Sequence, residues 1–540
     1  MVGKRWLLAL LGAVAQSAEL DKHAQSLLDE SMQFGDAIYD SAAGYLQYFY
    51  FPLAAGAHET RSSVWYSVGL LQRNQDSDAD DAIKILKNVI GDQEKNTTAQ
   101  WYGDYTKYPE QPTVGSAAYD PVIYNTWDPN WRGFIGTALI VIYEEFQDIL
   151  PDDVQDLILE SIYNSTVGDS YRVGGVDGDN LYPAYSNPWL MRAVQSSWAG
   201  HKLKDANLTR AGESDTRDFL KLFDRNHTLS EYNGPTYAGV SLYALTIAAK
   251  YLGSTNTTIG REAPRIIQNI WDYESQLWNP NMRNLAGPWD RSYGYDMNKY
   301  VAIFSLWVWS LVGKEQAWKT NSPIWALAHA DDFEVAPVVS VLSGFHKTLL
   351  PSKILARLTS FAGEHTYHGH AYAPPADREP RNITTWVSEN LTIGTFSFNQ
   401  RANGGFSEDS SSFSPSVVQW ARSDDSIGYL NLYPTESAMK AEVEPYGLNL
   451  TYPDGDSSTR FTFVLSTNPL GKKRDITGFG DVDGVDIEVV GGSVDLTPKI
   501  SFCGLLGGCS DIHGFEFWNV TFTMPPDSED VPSIQLKFGL

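Results

Sequence analysis

The sequence predicts an α+β protein, an N-terminal α/α toroid of stacked helical hairpins followed by a C-terminal antiparallel β-sandwich. Three observations predict it. Apolar residues keep a helical period from about residue 20 to 330. Past about residue 335 they fall into short alternating or β-branched runs separated by Gly, Asp, Ser and Asn clusters. The chain has 540 residues, 42% of them hydrophobic and 13% aromatic, which is material for more than one sizeable core.

The chain opens with Lys4 and Arg5, an apolar run from Trp6 to Val14, and small residues at Ala15, Ser17 and Ala18. This is the pattern of a signal peptide over residues 1–18, and the run is too short to span a bilayer. Helices are expected at Asn130–Ile149, Val154–Tyr163, Pro188–Gly200, around Val240–Leu252, at Ile266–Trp278 and at Lys299–Val312. Such a series closes most compactly as an α/α toroid, with an open solenoid as the alternative. Strands are expected at Thr384–Val387, Leu391–Phe398, Ser416–Ala421, Gly428–Tyr433, Arg460–Leu465, Val485–Val490 and Gln535–Phe538. The change of texture over Asn321–Pro337 divides a helical domain, 19–335, from a sandwich domain, 336–540.

Nine Asn-X-Ser/Thr sequons accompany the leader: Asn96, Asn164, Asn207, Asn226, Asn256, Asn382, Asn390, Asn449 and Asn519. Together they predict a secreted glycoprotein. Cys503 and Cys509 lie in a Gly-rich stretch, and an oxidising compartment favours a local disulfide between them. Zinc would need more ligands nearby than His513. The His365, His368, His370 group reads as a hydrogen-bonded loop at the domain junction, so neither metal nor cofactor is expected. A formal charge of −26 disfavours nucleic acid, which needs clustered cations. No later stretch reaches the roughly 18 apolar residues of a membrane span. The expected partner is a glycan or a small-molecule substrate, and nothing in the sequence indicates an oligomeric state.

Asp128-Pro129, Asn187-Pro188 and Gly234-Pro235 each set a capping-type residue before a proline that can open a helix. Capping alone accounts for Asp128 and Asn187. In a toroid, however, the inner helices run parallel and gather their N-termini at one rim, where positive partial charges collect. That rim would hold Trp127, Asp128 and Arg132, then Asn187 and Trp189, then Glu231, Asn233 and Tyr237. Such aromatics can stack sugar rings, although they also serve as ordinary packing. A first-turn phenol at Tyr237 faces the positive end of its helix, which favours phenolate and proton transfer. A second dense segment, Gly287–Met297, carries Asp290, Arg291, Tyr293 and Asp296 ahead of another helix. Arg291 could clamp a uronate carboxylate and Tyr293 could move a proton.

Glu231–Tyr237, Gly287–Met297 and Trp386–Gln400 are similar to pieces of toroid-plus-sandwich proteins, and the plan resembles the heparinase II/III and chondroitin-lyase-type polysaccharide lyases. The resemblance implies β-elimination at a uronic acid. Asn187 would neutralise the carboxylate, Tyr237 would act as base and acid, and Arg291 would assist charge stabilisation. The family's histidine has no counterpart at the expected place in the helical half. Other functions fit a toroid. A glycoside hydrolase would pair Asp128 or Glu231 with Asp290 or Asp296 across the cleft. A dehydratase, isomerase or cyclase would enclose a small apolar metabolite, and a glycan-binding module would need no reactive group.

Overall fold

The computed structural model describes residues 19–48, 56–291, 293, 296–319, 322–405, 414–466, 476–503 and 517–540. The expected leader, residues 1–18, lies outside them, as does Cys509, the proposed partner of Cys503. Among the described residues no helix is long and apolar enough to cross a membrane.

The helical half contains α1 (Lys22–Ile38), α2 (Thr60–Arg73), α3 (Asp78–Gly91), α4 (Asn130–Glu145), α5 (Asp152–Ser170), α6 (Ser186–Lys202) and α7 (Ala206–Phe223). It continues with α8 (Pro235–Leu252), α9 (Thr258–Leu277), α10 (Ile303–Val312), α11 (Lys314–Ala317), α12 (Ala336–Thr348) and α13 (Ser352–Thr359). Helices α2, α4, α6, α8, α10 and α12 each pack against the next, and α12 returns to α2. This closes an inner ring. Helices α3, α5, α7 and α9 lie outside it, each against the inner helix that precedes it, and α1 covers α10 and α12.

Residue type sorts the two rings. Inner helices such as α8 and α10 bury nearly every side chain, whereas α3 and α7 bury one face only. Local capping fixes the outer starts: Asp21 Oδ1 accepts from the backbone N–H of His23 (2.9 Å) and Ala24 (3.1 Å) ahead of α1, and Asp205 does the same for α7. Gly234 and Pro235 open α8 as cap and first residue. Short strands β1 (Tyr39–Asp40), β2 (Tyr45–Gln47) and β3 (His58–Glu59) precede α2, and β4 (Trp278–Asn279) with β5 (Asn284–Leu285) follows α9.

The strand half comprises β6 (His365–Ala371), β7 (Arg381–Val387), β8 (Leu391–Phe396), β9 (Phe398–Asn399), β10 (Ser416–Ala421), β11 (Ile427–Tyr433) and β12 (Ala438–Glu444). It ends with β13 (Gly447–Thr451), β14 (Arg460–Ser466), β15 (Asp486–Gly492), β16 (Lys499–Cys503), β17 (Phe517–Thr523) and β18 (Ser533–Gly539). One antiparallel sheet has the order β16-β17-β14-β11-β10-β8-β7-β6 and the other β15-β18-β13-β12-β9. Strands β8, β10, β11 and β14 are buried almost throughout, while β12, β15 and β18 alternate buried and exposed. The large sheet is therefore a middle layer, with the small sheet on one face and the toroid on the other. At the toroid face Thr385 Oγ1 donates to Gly287 O (2.8 Å). Within the sheet Trp420 opposes Gly428, where a Cβ would collide with the indole.

Three expectations change here. Helices α12 and α13 run past residue 335 to Thr359, because α12 is needed to close the ring, so strands begin at His365. His365, His368 and His370 lie on β6 and not on a loop; His368 and His370 bond the neighbouring strand through Thr384 and Asn382. Of the sequons, Asn164 and Asn519 are buried, Asn164 as acceptor for the Tyr102 hydroxyl, so neither can carry a glycan on the folded chain. Asn96, Asn207, Asn256, Asn382 and Asn390 are exposed, and Asn226 and Asn449 are half-buried.

Glu274, on α9 where it packs against β6, is fully buried, and neither of its carboxyl oxygens has a hydrogen-bond partner among the described residues. Burial pushes its carboxyl up to about 8. A carboxyl raised above its unfolded value contributes stability that is complete below about pH 4 and is lost as pH rises through the folded value. Glu274→Gln should therefore stabilise the protein at pH 8 by on the order of 2–4 kcal/mol and by little at pH 5. Urea unfolding at both pH values checks this; an equal effect at each would refute it.

Candidate active site

The N-termini of the inner helices open on one side of the ring, and their lead-in residues touch in sequence around it. Asn130, opening α4, donates through Nδ2 to the Tyr185 hydroxyl (3.4 Å) ahead of α6. Asn187, in the first turn of α6, donates through Nδ2 to Glu231 Oε2 (2.9 Å) and Oε1 (3.2 Å), and its backbone N–H donates to Oε2 (3.0 Å). Arg291 Nη1 lies 3.5 Å from Glu231 Oε1, while its guanidinium sits over the rings of Tyr237 (4.0 Å) and Tyr185 (5.6 Å). The hydroxyls of Tyr237 and Tyr293 hydrogen-bond to one another. Tyr293 stacks on His329, with ring centroids 3.7 Å apart. Thr236 Oγ1, beside Tyr237, donates to Asp332 Oδ2 (3.2 Å). The circuit closes at α2, where Arg61 pairs with Glu59 (3.3 Å) and covers the rings of Trp65 and Trp131.

Burial sets the protonation states. The Tyr237 phenol is pushed well above the ordinary tyrosine range by burial and by Tyr293, with Arg291 opposing. The positive end of α8 favours phenolate, as the sequence suggests, but burial is the larger effect. Tyr293 moves up for the same reason, against Arg291 and the Tyr237 hydroxyl. Burial lowers His329, opposed by Asp331, so its imidazole is neutral near pH 7. Glu231 is raised by burial and held partly in check by Arg291 and Asn187. Asp332 is pushed up to about 8 by burial and Asp331.

Of the residues singled out from sequence, Asn187, Tyr237, Arg291, Tyr293 and Glu231 meet here. Asp128 stands at the α4 start, where Oδ1 accepts from the Asn130 backbone N–H (3.0 Å); burial raises its carboxyl. The rest are scaffolding. Asp290 forms a buried pair with Arg381 (2.5 and 2.8 Å) and accepts from the Tyr232 backbone N–H (3.0 Å), which ties the toroid to the sandwich. Asp296 accepts from Asn284 and Asn298 inside the same loop. Asn233 is buried in a left-handed turn and donates to the carbonyls of Ala286 and Pro288. Arg132 is fully buried and donates to Gln100 O. Trp189 donates to Asp215 O, and its face is covered by Arg192. Trp127 is buried beside Trp101 at the edge of a cavity of about 360 Å³. Asp290, Asp296 and Trp189 have their polar groups engaged inside the protein, whereas Trp127 Nε1 and Arg132 Nε have no hydrogen-bond partner and Trp127 lines the cavity.

Sequence reasoning missed His329, Asp331 and Asp332. Their signal was the same one that marks the other helix starts: a polar cluster shortly ahead of a proline, here Pro337 in the first turn of α12.

The fold and this rim define a toroid-plus-sandwich protein with coupled phenols at the inner helix N-termini. The chain belongs to the family described as "Domain of unknown function (DUF8769)", which it matches over residues 25–344. Residues 363–539 match a second family, "Domain of unknown function (DUF8770)". No curated protein matches the chain. Similar solved structures include a Paenibacillus xanthan lyase, with 10% identity and TM-score 0.44, covering 96% of this chain and 57% of that one. They also include a Streptomyces coelicolor chondroitin AC lyase in complex with chondroitin sulphate, with 10% identity and TM-score 0.47, covering 96% of this chain and 80% of that one. A heparinase III shares 10% identity at TM-score 0.30, covering 96% and 85%. The chain thus spans little more than half of the xanthan lyase.

Proposed function

We propose that this chain is a secreted polysaccharide lyase that cleaves a uronate-containing glycan by β-elimination. The observation that carries the proposal is the contact of the Tyr237 and Tyr293 hydroxyls beneath Arg291, with Asn187 on one side and a neutral His329 on the other. Arg291 receives the uronate carboxylate, joined by the Asn187 amide as it exchanges its bonds to Glu231 for the substrate, and the two draw off the charge that develops as the C5–H bond breaks. The His329 imidazole accepts the C5 proton. The electron pair forms the C4–C5 double bond, the C4–O bond breaks, and the Tyr237 phenol protonates the departing glycosidic oxygen. Tyr293 then returns a proton to Tyr237, and the proton that His329 took from C5 passes to Tyr293, which restores all three groups. Burial of Tyr237 suits it to the acid role, and His329 takes the base role that the sequence alone gave to tyrosine. Exposed sequons such as Asn96 and Asn207 are the glycosylation sites of this reading.

A hydrolase built on Asp290 or Asp296 is disfavoured, because Asp290 is locked to Arg381 and Asp296 faces its own loop.

The test is ultraviolet absorbance during incubation with uronate polymers, since elimination creates a conjugated unsaturated uronate and hydrolysis does not. The rate should fall on acidification with a midpoint below the ordinary histidine value of about 6.5, because protonated His329 cannot accept a proton. It should not fall at the alkaline end until above the ordinary tyrosine range. New reducing ends without absorbance would overturn elimination. An acid limb that persists in the residual activity of His329→Asn would remove His329 as base.

A further inference from the structure

We infer that the cavity beside Trp127 holds the first sugars of an N-glycan carried by Asn96 of the same chain; this rests on the secreted glycoprotein reading above. The cavity, of about 360 Å³, lies between residues 97–102 and the C-terminal end of α5 with the turn that follows it. That is near the lower end of ligand pockets, which run from roughly 300 to 1,000 Å³, so it suits a short saccharide better than a long chain.

Reach is the first argument. Thr97 and Thr98, the residues after Asn96, line the cavity, so a sugar on Asn96 begins beside it. Asn96 is exposed, and its Oδ1 accepts from the backbone N–H (3.1 Å) and the hydroxyl (2.8 Å) of Thr98. Its Nδ2, the atom that carries the sugar in an N-glycan, makes no hydrogen bond among the described residues.

The second argument is the wall opposite. Tyr171, Val173 and Val176 line the cavity and are 75%, 57% and 50% exposed. A cluster of exposed apolar side chains marks a contact surface, and a phenol ring beside aliphatic groups suits the apolar face of a pyranose. The turn that presents them is fixed in advance. Gly175 N–H donates to Asp179 O (2.7 Å), Arg172 Nε donates to Asp179 Oδ2 (2.8 Å), and Gln100 Nε2 ties the turn to the opposite wall through Asp177 O (3.2 Å). Docking there orders little that is not already ordered.

Charge is the third. Arg172, the cation among the lining residues, is spent on Asp179 and Asp169, while the Asp177 carboxylate is exposed and has no hydrogen-bond partner among the described residues. A uronate would meet an anion there with no cation to receive it, whereas the hydroxyls of a neutral N-acetylhexosamine can donate to Asp177.

The experiment uses the full chain secreted from a eukaryotic host, with occupancy read by glycopeptide mass spectrometry. Asn96 should be occupied. On the native protein a peptide N-glycosidase should release its glycan at least about tenfold more slowly than glycans on the other exposed sequons, because only the undocked population is cleaved. After denaturation the rates should converge. Tyr171→Ser combined with Val173→Ser and Val176→Ser, all at exposed positions, should abolish the difference on the native protein without changing occupancy. Equal release on the native protein, or a difference that survives the triple substitution, overturns the inference. Asn96 bare while other sequons are occupied overturns it too and leaves the glycoprotein reading standing; a chain with no occupied sequon overturns both. None of these readouts depends on elimination.

Discussion

Tyr237→Phe should lower the elimination rate by about a thousandfold while leaving substrate affinity within a few-fold, because it removes one proton and almost no volume. The side chain is half-buried, stacked under Arg291, and bonded through its hydroxyl to Tyr293, so the ring would stay in place. Steady-state absorbance kinetics on a reactive polymer would measure it, with Tyr293→Phe as comparison. If Tyr237 gives the proton directly and Tyr293 only replenishes it, the Tyr293 variant should keep more activity. A Tyr237→Phe enzyme within tenfold of the native rate would assign the proton to another group.

Arg381→Ala should cost on the order of 3–5 kcal/mol of stability, the second large effect. Arg381 is buried, bidentate to Asp290 and bonded to Asp377 (2.9 Å), so its removal strands two carboxylates away from water. The expected loss comes more from those stranded charges than from the bonds themselves. Asp290→Asn and Asp377→Asn combined with Arg381→Met should therefore recover most of it, which denaturant unfolding of the series would show. Recovery of none would mean that the pairing geometry, and not desolvation, is the source. Asp290 also precedes Arg291 and is bonded to Tyr232, next to Glu231, so Arg381→Ala should slow turnover as well.

Much of this was legible in the residues, and what was not has physical reasons. The helices read from sequence are the inner α4, α6, α8 and α10 with the outer α5 and α9, while α1, α3 and α7 went unread although each has a one-sided apolar stripe. Also unread were α2 and α12, which complete the ring: α2 and the first part of α12 are buried on nearly every side, so their sequences carry little periodic contrast. Strands β7, β8, β10, β11 and β14 of the large sheet read as β-branched runs, β16 and β17 went unread, and β6 reads as a loop because three histidines and a glycine interrupt it. At the site, the proline-led helix starts pointed to Asn187, Glu231 and Tyr237. Asp290 and Arg132 looked equally functional in sequence, since a charge gives no hint of whether its partner is substrate or another buried residue. Arg381, which claims Asp290, lies 91 positions along the chain.

Closure of the ring through α12 and α2 also constrains biogenesis. The rim draws on residues from Glu59 to Asp332, and the last of them leads directly into the helix that seals the circle. A ribosome releasing this chain exposes the apolar flank of α2 long before α12 exists to cover it. Until then the flank of α2 that α12 covers is exposed. A product truncated before α12 lacks the closed ring that brings the rim residues together.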